Sequence, residues 1–133
     1  MSEENLQAVR AGFDAFSRGD MPAFLDLVDP NIVFTPIPEA PDVQFFHGRE
    51  GLLQGLAQYT TEMWEDFSVE LREMRDFDDH VLASYRWCGR GPSSGIEVEV
   101  DVYALYTLRE GTVVRCSLFT SEQQAVEAAG LPE

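Results

Sequence analysis

Lysine is absent. All nine cationic side chains of the 133-residue chain are arginine, set against 24 Asp and Glu, for a formal net charge of −15. Without a side-chain amine there is no group for Schiff-base chemistry, an internal aldimine with pyridoxal phosphate included. So few cations in so negative a chain also argue against the basic patches that nucleic acid and anionic membranes require. No nucleic-acid partner and no membrane partner are expected. Cysteine is scarce too: Cys88 and Cys116 are the two, and their spacing is not that of metal ligands. No apolar run approaches the ~18 residues of a membrane span. The polar, acidic start MSEENLQAVR is unlike a signal peptide. The expectation is a soluble, cytoplasmic protein with reduced thiols and no cofactor.

What is present suffices for one core. Hydrophobic residues make up 44% and aromatics 11%, and a chain of this length fits one domain, residues 1–133. The stretch Ile96 to Phe119, IEVEVDVYALYTLREGTVVRCSLF, alternates apolar and polar residues in two runs broken at Arg109-Glu110-Gly111. That period predicts a long antiparallel hairpin with one face buried. Val98, Val100, Val102, Ala104, Tyr106 and Leu108 share a face, and Glu97, Glu99 and Asp101 share the other. On the return run the alternation groups Val114, Cys116 and Leu118 against Arg115 and Ser117. A slip of one residue would carry three carboxylates into the core, so the register is tightly specified.

The remaining segments read as cover for this hairpin. Leu6, Val9, Phe13 and Phe16 recur at helical spacing over residues 3–18, and Gly19 ends that helix. Asp20 caps a second, short helix that tolerates Pro22 in its first turn and is stopped by Asp29-Pro30. NIVFTP is a short strand, PIPEAPD a proline-rich loop, and Val43 to Phe46 a brief return strand. A long third helix opens at Gly48-Arg49-Glu50 and carries Leu52, Leu53, Leu56, Tyr59, Thr60, Met63 and Trp64 on a broad stripe. Residues 67–77 and 80–88 are two strands joined at Asp78-Asp79, and GRGPSSG leads into the hairpin. Ser121-Glu122-Gln123-Gln124 opens a last helix in the capping-box pattern, and Gly130 closes it. Runs of helix followed by runs of strand predict an α+β fold, with helices laid on one face of a curved sheet.

Six pieces in order carry a family resemblance: AFSRGD, FHGREGL, MWEDFSVE, GRGPSSGIEVE, YTLREGTVVR and AVEAAGL. From about Leu6 to Leu131 the chain resembles the SnoaL-like, polyketide-cyclase-like branch of the nuclear-transport-factor-2-like superfamily, which includes ketosteroid isomerase. The resemblance implies a cone-shaped, mixed but mostly antiparallel β-sheet wrapped around a pocket and covered by three helices, with a short C-terminal helix. It also implies a homodimer through the outer sheet face, where Tyr103, Leu105 and Phe119 would lie and Arg86 and Arg115 would meet Glu99 and Asp101. With strand parity added, the pocket is expected to be lined by Phe16, Thr35, Tyr59, Trp64, Tyr85, Trp87, Val102, Ala104, Tyr106, Cys116 and Leu118. This fold hosts enzymes and binders alike, so function has to come from the site.

Ketosteroid isomerase uses an Asp base with a Tyr and a protonated Asp as oxyanion hole. At the matching positions this chain carries Thr35, Gly12 and Ala104, so all three roles are empty and that isomerisation is not expected. An Asp-Arg-Asp arrangement of the limonene-epoxide-hydrolase kind has its nearest equivalent in Glu99, Arg115 and Asp101, which parity puts on the outer face. His47, just before the third helix, is either a surface or helix-entry histidine or a pocket-rim acid or base, the one candidate for that role; His80 sits in a polar turn, where it is expected to be solvated. Asp76, Asp78, Asp79 and His80 lack the glycine placement of known cation loops, so no metal is expected. A Cys88–Cys116 disulfide is not expected, because the strand order that the resemblance implies would place the strand carrying Val102 between them, about 9–10 Å across two strand spacings.

The leading expectation is a protein that binds a small, mostly apolar, neutral molecule in the cone pocket. The alternatives are a cyclase, isomerase or dehydratase with non-standard acid and base residues, and a dimeric association module whose pocket is vestigial. An open cavity of several hundred Å³ would favour the first two; one filled by Trp64, Trp87 and Tyr106 would favour the third.

Overall fold

The computed structural model describes residues 2–35, 46–57, 65–77, 79–91 and 94–130. Helix α1 (Ser2–Arg18) buries Val9 and Ala15 and is closed by Gly19 at φ +75. The Asp20 carboxylate accepts the Ala23 N–H at 3.3 Å and so caps α2 (Met21–Asp26), with Pro22 in the first turn, where no intrahelical N–H is needed. Asp29 and Pro30 do not act as the stop signal. The helix ends at Asp26, and both residues lie inside β1 (Val28–Thr35), whose pairing is irregular between Val28 and Val33. Proline has no N–H to give a ladder, so an interrupted stretch is where a strand accommodates it.

A short β2 (Phe46–His47) leads into α3 (Gly48–Ala57), and the Arg49 Nε–H donates to the Val28 carbonyl at 2.9 Å, tying α3 to β1. Then come β3 (Glu65–Phe77), β4 (His80–Arg90), β5 (Glu97–Arg109), β6 (Thr112–Phe119) and α4 (Glu122–Ala128). The six-stranded sheet runs in the order β2-β1-β6-β5-β4-β3, antiparallel except for the parallel β1–β6 pair. This is the expected α+β arrangement with a curved, mixed sheet. β5 separates Cys88 on β4 from Cys116 on β6, and both thiols are free.

The central hairpin turns at Glu110-Gly111, both at positive φ (52 and 77), which is the two-residue turn whose twist matches antiparallel strands. The alternation on β5 puts Glu97, Glu99 and Asp101 exposed and Val102, Ala104 and Leu108 buried, with Leu105 of the other face buried as well. On β6 the alternation breaks. Tyr106 pairs with Cys116, Thr107 with Arg115 and Leu108 with Val113, so Val114 is an extra residue. The bulge reverses parity at that end, and Val113, not Val114, joins Cys116 and Leu118 on the buried face.

Helix α4, capped by the Ser121 hydroxyl on the Gln124 N–H, packs on β5 and β6. Its Ala125 is buried, and so are Leu82 and Leu105, paired neighbours on the side opposite Ala83 and Ala104. Leu105 is therefore not open to a partner on the outer face. Farther along that face Arg86 sits between Glu99 (3.6 Å) and Asp101 (3.4 Å). Among the described residues no helix is long and apolar enough to cross a membrane.

Candidate functional site

Between the inner sheet face and helices α1 to α3 lies a cavity of about 120 Å³. α1 contributes Ala8, Val9, Gly12, Phe13 and Phe16, α2 contributes Phe24, and α3 contributes Leu52 and Leu56. Ile32 and Phe34 of β1, with Val113, Cys116 and Leu118 of β6, form a second wall. Phe67 and Val69 of β3, with Tyr85 and Trp87 of β4 and Tyr106 of β5, complete it. Aromatic pairs stiffen the lining: Phe13 with Tyr85 (5.8 Å), Phe16 with Phe24 (5.5 Å) and Phe67 edge-on to Trp87 (5.5 Å). At Gly55 of α3 an added Cβ would stand 2.6 Å from the fully buried Phe34 ring, so only glycine lets that helix close on β1.

Of the residues expected on the wall, Phe16, Tyr85, Trp87, Tyr106, Cys116 and Leu118 stand there. Tyr59 and Trp64 lie outside the described residues. Val102 and Ala104 point inward and are fully buried, but they do not reach the cavity surface. Thr35 does not line it: β1 pairs Phe34 with Cys116 and Thr35 with Ser117, so Phe34 takes the inward position and Thr35 the outward one. The same alternation makes His47 the surface histidine of the two expected readings. Phe46 turns inward against Phe34 (6.0 Å between rings), while His47, paired with Val33, is exposed. His80 is half-buried rather than solvated, with Nδ1 3.2 Å from the Thr107 hydroxyl.

Polar chemistry on this wall is concentrated in a pair. The Tyr85 and Tyr106 hydroxyls lie 2.7 Å apart, within hydrogen-bond reach. Tyr85 stands opposite Val102 and Tyr106 opposite Val81, with the Ala83–Ala104 pair between those two rows. The two tyrosine Cα positions are therefore four residues apart along the strands, about 13 Å at ~3.3 Å per residue. Their rings can meet only by leaning toward each other over the two alanines, whose methyl groups leave the room. This is also why Ala104 is buried without reaching the cavity. Cys116 pairs directly with Tyr106. Burial pushes the Cys116 thiol up to about 12. Burial likewise holds both phenols well above their ordinary range, assisted at Tyr106 by Tyr85 and Cys116. The three titratable groups on the wall among the described residues are thus neutral at neutral pH.

Sequence parity alone does not find Phe13, Phe34 and Phe67 as wall residues. Phe13 and Phe34 had visible signals, the α1 stripe and the alternation of NIVFTP; Phe67 depends on β3, whose pairing shifts twice, between Glu65 and Ser68 and between Leu71 and Glu73.

The sequence profile of the SnoaL-like domain matches residues 9–116. Among solved structures, Bal32a from a soil-derived mobile gene cassette is 22% identical, with a TM-score of 0.79 over 96% of each chain. An NTF2-like protein of Burkholderia thailandensis E264 is 21% identical, with a TM-score of 0.79 over 99% of each chain. TerC, co-crystallized with polyporic acid, is 19% identical, with a TM-score of 0.75 over 93% of this chain and 96% of that chain. At these identities the likeness is one of fold. No curated protein matches the sequence. The profile match covers most of the chain: the chain belongs to the SnoaL-like domain family.

Proposed function

We propose that the chain binds a small, mostly apolar, neutral molecule in the cavity beneath α1. The observation that carries this reading is the wall itself: among the described residues it is hydrocarbon apart from the Tyr85–Tyr106 hydroxyls, the Cys116 thiol and the Trp87 indole. Such a site offers nothing to offset the desolvation of an ion, so charged ligands are rejected. Its titratable groups keep their protons at neutral pH, which favours retention of a ligand over proton transfer to or from it. A neighbour of the same fold crystallised with polyporic acid supports the use of this fold for holding a small molecule.

The volume, about 120 Å³, falls short of the several hundred Å³ expected of an open binding pocket and is close to the ~150 Å³ apolar cavity that takes benzene, so the ligand is about one ring in size. The test is thermal unfolding with styrene and with benzoate at equal concentration. Styrene at ~100 times its dissociation constant should add ~2.7 kcal/mol, and benzoate should add nothing. A Gly12→Leu variant, whose side chain would enter the cavity with its Cβ no closer than 3.8 Å to Leu27, should abolish the styrene effect. Equal stabilisation by both compounds, or by neither, sinks the reading.

A further inference from the structure

We infer that the Tyr85–Tyr106 pair is the ligand's polar anchor and that the cavity takes a neutral carbonyl compound of about one ring. The inference rests on the reading of the cavity as a binding site and says which compounds that site selects. Two phenols bring two O–H donors, and their mutual hydrogen bond at 2.7 Å uses one of them. The second hydrogen belongs to a hydroxyl on a wall that, among the described residues, otherwise offers only carbon, the Cys116 thiol and the Trp87 indole, with Tyr85 only 6% exposed and Tyr106 half-buried. A buried donor with nothing to accept it is costly, and an acceptor atom carried in by a ligand removes that cost.

The chemistry of the acceptor follows from its surroundings. The chain is at −15 and carries no lysine, and no arginine or histidine stands on the cavity wall, so a carboxylate would enter without a counter-charge. An amine or amide would bring N–H donors into a wall that has only phenolic oxygens and sulfur to receive them. A carbonyl oxygen brings lone pairs and no donor, and so takes the spare hydrogen without leaving a new one unpaired. The ring body then fills the carbon-lined remainder. The donor is also pre-oriented: the mutual hydrogen bond holds both hydroxyls in place, and it polarises the outer O–H toward the ligand.

Benzaldehyde and styrene test this directly, being nearly isosteric and differing in C=O against C=CH2. Having no lysine, the chain has no side chain to trap the aldehyde as an imine. Dissociation constants for both compounds are measured by calorimetry on the wild type and on the Tyr85→Phe/Tyr106→Phe double variant, which removes both halves of the hydroxyl pair and orphans neither. Benzaldehyde should weaken about 2- to 10-fold in the double variant, with styrene held within about twofold. In the wild type alone, isotope-edited infrared should find the bound carbonyl stretch at lower frequency than in hexane, a readout that does not depend on the variant folding. Loss of that shift in the double variant assigns the donor to the pair. Binding of both compounds with no preference to lose and an unshifted carbonyl overturns the anchor while leaving the apolar site intact. Binding of neither overturns the site itself, and the anchor with it.

Discussion

Cys116, Tyr85 and Tyr106 share an environment that works against ionisation. Each keeps its proton in the folded state past the pH at which an unfolded chain releases it, at 9.0 for the thiol and 10.0 for the phenols. The sign follows from linkage. A raised folded-state pKa gives stability that is intact below the unfolded value and lost as pH rises toward the folded one. For Cys116 that window runs from 9.0 to about 12, and the phenols add to it from 10.0 upward. The unfolding free energy from urea titrations should therefore fall above pH 9, by roughly 1 kcal/mol per pH unit for each group in its window, and the midpoint with it. A Tyr85→Phe/Tyr106→Phe variant should flatten the upper part of the curve. A midpoint unchanged between pH 8 and pH 11 would show that water reaches these groups.

At the scale of elements, the site depends on where small residues fall. Ala83 and Ala104 are directly paired on β4 and β5, both fully buried, and the two tyrosine rings close over them. Ala104→Leu would put a branched side chain into that space and part the hydroxyls. The expected cost is about 1–3 kcal/mol, as for other overpacked cores. Urea unfolding checks the magnitude; a variant as stable as the wild type would mean that the rings do not close over the alanines. The pairing could not be read from either strand alone. SYRWCG and YALY show their inward residues plainly, but which row faces which depends on how the β4–β5 connection over 91–96 is built, and alternation carries no information on that offset.

For the whole molecule, the two sheet faces have separate fates. Helices α1 to α3 and the cavity occupy the inner face, while on the outer face Leu82 and Leu105 are already buried. What stays half-buried on that face includes the cross-strand pair Tyr103–Phe119, close to the Arg86–Asp101 ion pair. A homodimer through this remaining surface is the expected state, with Tyr103 and Phe119 at its centre. Because each copy carries −15, salt should tighten the association by screening mutual repulsion. Light scattering at micromolar concentration is the check: twice the chain mass for the wild type and a single chain for Tyr103→Glu. A wild-type mass of one chain removes the dimer.

The sequence by itself determined whatever depends on neighbours along the chain. The α1 stripe, the Asp20 and Ser121 caps, the Glu110-Gly111 turn and the buried face of β5 all follow from spacing and local hydrogen bonding. So does the order of elements that carries the family. Only the tertiary structure decided what depends on register between distant strands. The Val114 bulge exchanged Val114 for Val113 on the inner face, and the pairing of β1 with β2 and β6 turned Thr35 and His47 outward, putting Phe34 and Phe46 in their place. The meeting of Tyr85 with Tyr106 is of the same kind. Period 2 says which residues share a face, but a bulge or an offset is a contest between whole strands, settled by packing that no short window of sequence contains.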